Sequence, residues 1–131
     1  MAPFVLLLDA VREELRRHNY MPVMFDFEKP WSRSYTETIT TLARMARFII
    51  ADLTDATEVR LELAKIVPDL PSVPVQPLVL ASSTDYVTFA DIRRYHWVLE
   101  PFRYRDLSHA IASLPEMILK PAEAKVMELR R

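Results

Sequence analysis

The chain has 131 residues, the size of one domain, and its 50% hydrophobic and 27% charged residues argue against wholesale disorder. A formal net charge of -1 gives no basic excess to hold a phosphate backbone, which argues against nucleic-acid binding as the main task. With no cysteine the chain forms no disulfide, thiolate nucleophile or thiolate metal site, and with no glycine it has neither a P-loop nor a glycine-rich dinucleotide turn.

An average chain of this length would carry roughly nine glycines. Turns must therefore use the 10 prolines together with Asp, Asn and Ser. The apolar run Phe4–Leu8 has no basic residue before it and is too short for the core of a signal peptide. No stretch approaches membrane-spanning length. A cytoplasmic location with no membrane partner is the expectation.

Phe4, Leu8, Val11 and Leu15 recur at helical spacing, with Arg12, Glu13, Arg16 and Arg17 on the other side. This predicts a helix over residues 3–18, ending before Asn19. The alternative is a buried strand at Phe4–Leu8 followed by a short helix. The helix is preferred because no turn residue separates the apolar run from the charged segment. If the helix holds, the strand that usually precedes a first helix in an α/β domain is missing or minimal, or a partner chain supplies it.

Residues 22–28, Pro-Val-Met-Phe-Asp-Phe-Glu, read as a strand closed by Lys29 and Pro30. Ser34 and Glu37 form a capping-box pattern, opening a helix with Ile39, Leu42, Ala43 and Ala46 on one face. Phe48–Ala51 is a short continuous apolar run, as expected of a strand buried on both faces. Asp55 and Glu58 repeat the capping pattern before a helix carrying Val59, Leu63, Ile66 and Val67, which Pro68 is expected to end. Val73–Leu80 reads as the next strand, Phe89–Arg94 as a short helix and Trp97–Glu100 as a short strand. Asp106 is placed to cap a helix to Leu114, and Pro121 to open a last helix to Leu129.

Strands and helices alternate, which predicts a flavodoxin-like, doubly wound parallel sheet of four to five strands with helices on both faces. Such sheets bind ligands beyond the carboxyl ends of their strands. Asp26 and Glu28 end one expected strand, and Asp52 and Thr54 end the next. Glu62 falls roughly 60° around the helix from Val59, beside the buried stripe, where partial desolvation suits acid, base or nucleophile work. Plainer roles stand beside these. Asp55 and Glu58 serve as caps, Asp52 can hold backbone N–H groups, and Glu62 can be a helix-surface carboxylate. Trp31 and Arg33 suit a ligand, by stacking and charge, or an interface. His18, His96 and His109 lack ligand spacing, so no metal site is expected.

Phe48-Ile-Ile-Ala-Asp-Leu-Thr-Asp-Ala56, followed by Glu62-Leu63-Ala64, resembles the central strand-to-helix segment of TIR-like (Toll/interleukin-receptor-like) domains. It is also similar to that of the related nucleoside deoxyribosyltransferase-like proteins. Tyr20–Pro30 resembles the preceding strand and the start of the loop that covers the pocket in TIR domains. The likeness spans roughly residues 20–100. It implies one TIR-like domain over residues 1–131, with Glu62 at the position of the catalytic carboxylate.

Active members of these families cleave the N-glycosidic bond of NAD or of nucleosides. By that resemblance Asp26 or Asp52 would accept from ribose hydroxyls. Arg33 would meet a phosphate, Phe27 or Trp31 would stack on a base, and Thr54 would line the pocket. NAD enters as substrate, with no resident cofactor. The implied setting is bacterial defence or stress signalling. Homo-oligomerisation through the Phe27–Tyr35 loop is expected, or contact with a sensor or adaptor protein. The two alternatives are a non-catalytic interaction module and a nucleoside deoxyribosyltransferase-like enzyme.

Overall fold

The computed structural model describes residues 3–23, 33–54, 63–82 and 90–130. Helix α1 covers Pro3–Arg17, so the apolar run Phe4–Leu8 forms helix and not strand. Its end shows how a chain without glycine stops a helix. Asn19 takes the left-handed conformation at φ 68°, a region Asn tolerates better than most residues. The N–H of Asn19 donates to Arg16 O at 3.1 Å and that of Tyr20 to Leu15 O at 3.0 Å, which completes a Schellman motif.

Helix α2 (Arg33–Met45) leads into strand β1 (Ile49–Asp52). A helical turn at 63–66 continues into a 3-10 turn at Val67–Asp69. The α-helical turn stops at residue 66, as expected from Pro68, and the 3-10 turn that takes over carries Pro68 in its first positions, where a proline gives up an N–H that has no partner within that turn. Strand β2 (Val75–Leu80), the short helix α3 (Ala90–Arg93) and strand β3 (Phe102–Tyr104) follow. Among the described residues the sheet has three parallel strands in the order β1-β2-β3. Residues 24–28 of the expected strand at 22–28 lie outside the described residues. No described helix is long and apolar enough to cross a membrane.

Side chains alternate across a strand, so one parity of residues faces each layer. Ile49, Ala51, Val75 and Val79 pack with α2 (Ile39, Ala43), with Leu63, Ile66 and Val67, and with Ile92 and Trp97. Ile50, Leu78, Leu80, Phe102 and Tyr104 pack with α1 (Val11, Leu15) and with Ala110, Leu114 and Ile118. Helices thus cover both faces, which explains why β1 and β2 read as continuous apolar runs.

The end of the chain departs from expectation. Helix α4 (Leu107–Ser113), a π-helical turn (Leu114–Leu119) and helix α5 (Lys120–Leu129) run on as one rod. Pro121 stands in the first turn of α5, one residue after its start at Lys120, and α5 ends at Leu129 as expected, but it continues the rod without a break before it. In a regular α-helix its ring would meet the carbonyl four residues back. The wider turn, in which Lys120 N–H donates to Pro115 O, makes room for it.

Residues 97–100 form no strand. Val98 makes one isolated bridge to Val75, and β3 begins only at Phe102. The pairing offset rises from 98 − 75 = 23 to 102 − 78 = 24, so one extra residue bulges between them. The cause is a pair of prolines. Val75 N–H donates to Trp97 O at 3.0 Å and Leu99 N–H to Val75 O at 2.8 Å. The next rung would use the N–H groups of Pro77 and Pro101, and neither exists. The buried amide of Gln76 supplies the bridge, its Nε2 donating to Pro77 O and Glu100 O, each at 2.9 Å. Gln76→Leu leaves Pro77 O buried without this donor and should destabilise the fold by about 1–3 kcal/mol, read as a lower denaturant midpoint.

At the amino end of the sheet Glu123 is gripped by Arg47, which donates through Nε and Nη2 at 2.6–3.0 Å, and by the Tyr20 hydroxyl at 2.7 Å. The Arg47 hydrogen bonds hold the Glu123 pKa below its ordinary 4.5. Burial, then the bond to Glu123, pushes the Tyr20 phenol up to about 12. A lowered carboxylate stabilises the fold above its unfolded pKa, and that contribution fades as pH falls through the folded value. A raised phenol acts oppositely, its contribution fading as pH rises from 10 towards 12. Thermal melts of the wild type and Glu123→Gln should therefore differ most between pH 5 and 9, converge as pH falls through the folded Glu123 value, and still differ above pH 10, where the Arg47 pair remains.

Candidate functional site

The carboxyl edge of the sheet is built from strand ends that turn away at different levels. On β1 the backbone ladder reaches Leu53, whose N–H donates to Leu78 O at 2.8 Å. The ladder is then continued by a side chain, with Leu80 N–H donating to Thr54 Oγ1 at 2.8 Å. Asp52, just before this point, folds its carboxyl group back on the main chain. Its Oδ1 accepts from Thr54 N–H at 3.0 Å, an Asx-turn geometry.

The other carboxyl oxygen is held from across the sheet. Tyr104, the last residue of β3, donates its hydroxyl to Asp52 Oδ2 at 2.9 Å. The strands β1 and β3 are not neighbours, so they lie roughly 9–10 Å apart. The phenol ring therefore passes over β2 on the α1 face to reach β1. Thr54 Oγ1 lies 3.4 Å from the same hydroxyl. Because Tyr104 donates to Asp52, the proton between the two hydroxyls belongs to Thr54. The donors then run one way, from Leu80 N–H to Thr54, from Thr54 to Tyr104 and from Tyr104 to Asp52. Asp52, Thr54 and Tyr104 are 5%, 8% and 5% exposed, so these bonds are made away from water, where an unmade one is costly.

The β3–α4 junction holds Tyr104 in turn. Asp106 Oδ1 accepts from His109 N–H at 2.8 Å, the N-cap expected from the sequence. His109 Nδ1 accepts from Arg105 N–H at 2.9 Å, and its ring lies against Phe102 at 5.4 Å.

Of the residues singled out by sequence, Asp52 and Thr54 meet at this edge. Glu62, Asp26, Phe27 and Trp31 lie outside the described residues. Arg33 opens α2, and its side chain lies outside them too. Leu63, immediately after Glu62, is buried at 4%. Sequence reasoning missed Tyr104. Its signal was parity alone, since it shares a face with Phe102 and ends a strand as Asp52 does.

Among the described residues no cluster of His, Cys, Asp or Glu could hold a metal ion. The three histidines serve separate contacts: His18 faces Glu14, His96 meets Trp97 edge-on, and His109 lies at the β3–α4 junction. A depression of about 320 Å³ on α2 is lined by Glu37, Thr38, Thr41 and Leu42, and not by the Asp52 group.

Thr54→Val keeps the side-chain shape but removes the acceptor for Leu80 N–H. A loss of about 1–3 kcal/mol is expected, measured by urea unfolding. The chain matches no protein-family model, no curated protein and no solved structure.

Proposed function

We propose that the protein is a TIR-like domain that cleaves the N-glycosidic bond of NAD or a related nucleotide, with Glu62 as the carboxylate beside the ribosyl carbon. The observation that carries this reading is the carboxyl edge of a parallel sheet, where buried Asp52 is fixed by Tyr104 and Thr54 just before the segment bearing Glu62. That edge is where open α/β sheets take ligands.

The distribution of helices supports the finer architecture. The connections β1 to β2 and β2 to β3 both step the same way across the sheet and both pack on the α2 face. Crossovers of one hand put steps in one direction on one face. The strand before α2 then belongs on the edge of β1 away from β2, and 22–28 is the segment assigned to it. Helices α1 and α4 touch each other on the opposite face. This division of helices suits a flavodoxin-like sheet of four to five strands.

In the proposed reaction the bond between C1′ and the base nitrogen breaks, and its electron pair leaves with the base. Glu62 stabilises the oxocarbenium-like centre, or bonds to it until water completes hydrolysis. Asp26 accepts from ribose hydroxyls. Phe27 or Trp31 stacks on a base, and Arg33 meets a phosphate. Asp52, which accepts from Thr54 N–H and the Tyr104 hydroxyl, is the alternative acceptor for a ribose hydroxyl and sets the start of the loop.

One observation favours the interaction module instead. Met21 and Val23, just before the Phe27–Tyr35 loop, are 91% and 58% exposed, and methionine suits adaptable contact surfaces. The deciding experiment follows nicotinamide release from NAD by the concentrated protein, beside Glu62→Ala. Release abolished by the variant is the expected result. A folded protein that releases none, and whose concentration-dependent assembly is lost in Trp31→Ala, supports the module.

A further inference from the structure

We infer that Tyr104 is a positioning residue for this edge: from the far strand it sets where the chain leaves β1, and so where the segment bearing Glu62 begins. The catalytic consequence rests on the NAD reading, whereas the effect on the chain's exit does not.

The geometry points one way. The backbone ladder carries β1 as far as Leu53. Beyond it Thr54 is held by its N–H on Asp52 Oδ1 and by its hydroxyl, which accepts from Leu80 N–H and faces Tyr104. Tyr104 meets both partners, donating to Asp52 Oδ2 at 2.9 Å and lying 3.4 Å from Thr54 Oγ1. At 5% exposure the phenol is too buried to take a substrate itself. It acts through Asp52 and Thr54. Its own place is fixed by the β3–α4 junction, where Asp106 caps the helix and His109 takes Arg105 N–H. A rigid path therefore runs from the α4 terminus through Tyr104 to the end of β1. Misplacing a reacting group by about 1 Å can cost a hundredfold in rate, so a small release here is enough to matter.

Tyr104→Phe keeps the ring in the core and removes only the hydroxyl. Hydrogen exchange followed by NMR should show the Thr54 amide exchanging about tenfold faster, with the Leu53 amide changed less than about twofold. Asp52→Asn, which keeps the shape but weakens both bonds, should do the same. In NAD cleavage Tyr104→Phe should lower kcat about tenfold or more with KM nearly unchanged. Gln76→Leu, a destabilised control nearer the amino end, should leave kcat intact. Unchanged Thr54 exchange in Tyr104→Phe overturns the inference. So does unchanged kcat in an enzyme whose wild type cleaves NAD. If the wild type cleaves nothing, the NAD reading fails, and Thr54 exchange alone decides the role of Tyr104.

Discussion

A parallel sheet buried on both faces leaves no water to replace a lost main-chain partner. This chain places two prolines on the same rung of that sheet. Pro77 lies in the central strand, where proline is rarely found, and Pro101 lies where its N–H should have answered Pro77 O. The fold survives because Gln76 turns its amide along the strand and supplies both Pro77 O and Glu100 O. The bulge of one residue in the edge strand follows from this repair. So does the late start of β3 at Phe102, which places Tyr104 level with Leu80 at the top of the sheet.

The two ends of the sheet are closed by different chemistry. At the amino end the Arg47, Glu123 and Tyr20 contact ties together the turn after α1, the approach to β1 and helix α5. Its charged members are partly exposed, so water and salt weaken it. At the carboxyl end the contacts are buried and made largely of hydroxyl groups, with one carboxyl group receiving them. Such a network is less sensitive to salt and more sensitive to geometry. The amino end thus behaves as a fastening, while the carboxyl end defines a shape.

Much of this was legible in the residues. The apolar runs at Phe48–Ala51 and Val73–Leu80 gave β1 and β2 because burial on both faces leaves no alternation to obscure them. Asn19 marked the end of α1, since a chain without glycine has few other ways to turn there. Asp106 was legible as a cap. Trp97–Glu100 misled because its apolar residues are buried in the core without pairing as a strand, and only the pairing register reveals the shift that Pro77 and Pro101 impose. Pro121 marked the first turn of α5 to within one residue, but not the π-helical turn that joins α5 to α4. At the site, Asp52 and Thr54 were legible as polar residues ending a buried strand. Tyr104 was not, since its bond to Asp52 joins positions 52 residues apart in sequence, and no local pattern encodes that.

The direction of the donors gives the carboxyl edge its stiffness. The Thr54 hydroxyl accepts from Leu80 N–H and faces the Tyr104 hydroxyl, which gives its proton to Asp52. Tyr104 gives its proton to the Asp52 carboxyl group, which leaves the Thr54 hydroxyl, already accepting from Leu80 N–H, to act as donor towards Tyr104. Tyr104 thus holds Asp52 Oδ2, while Thr54 N–H holds Oδ1. The carboxyl group of Asp52 is held from two sides by groups that cannot reverse their roles. Two non-adjacent strands are therefore locked at one level without any backbone bond between them. The loop that follows Thr54 starts from a point set by the width of the sheet as well as by the strand it continues.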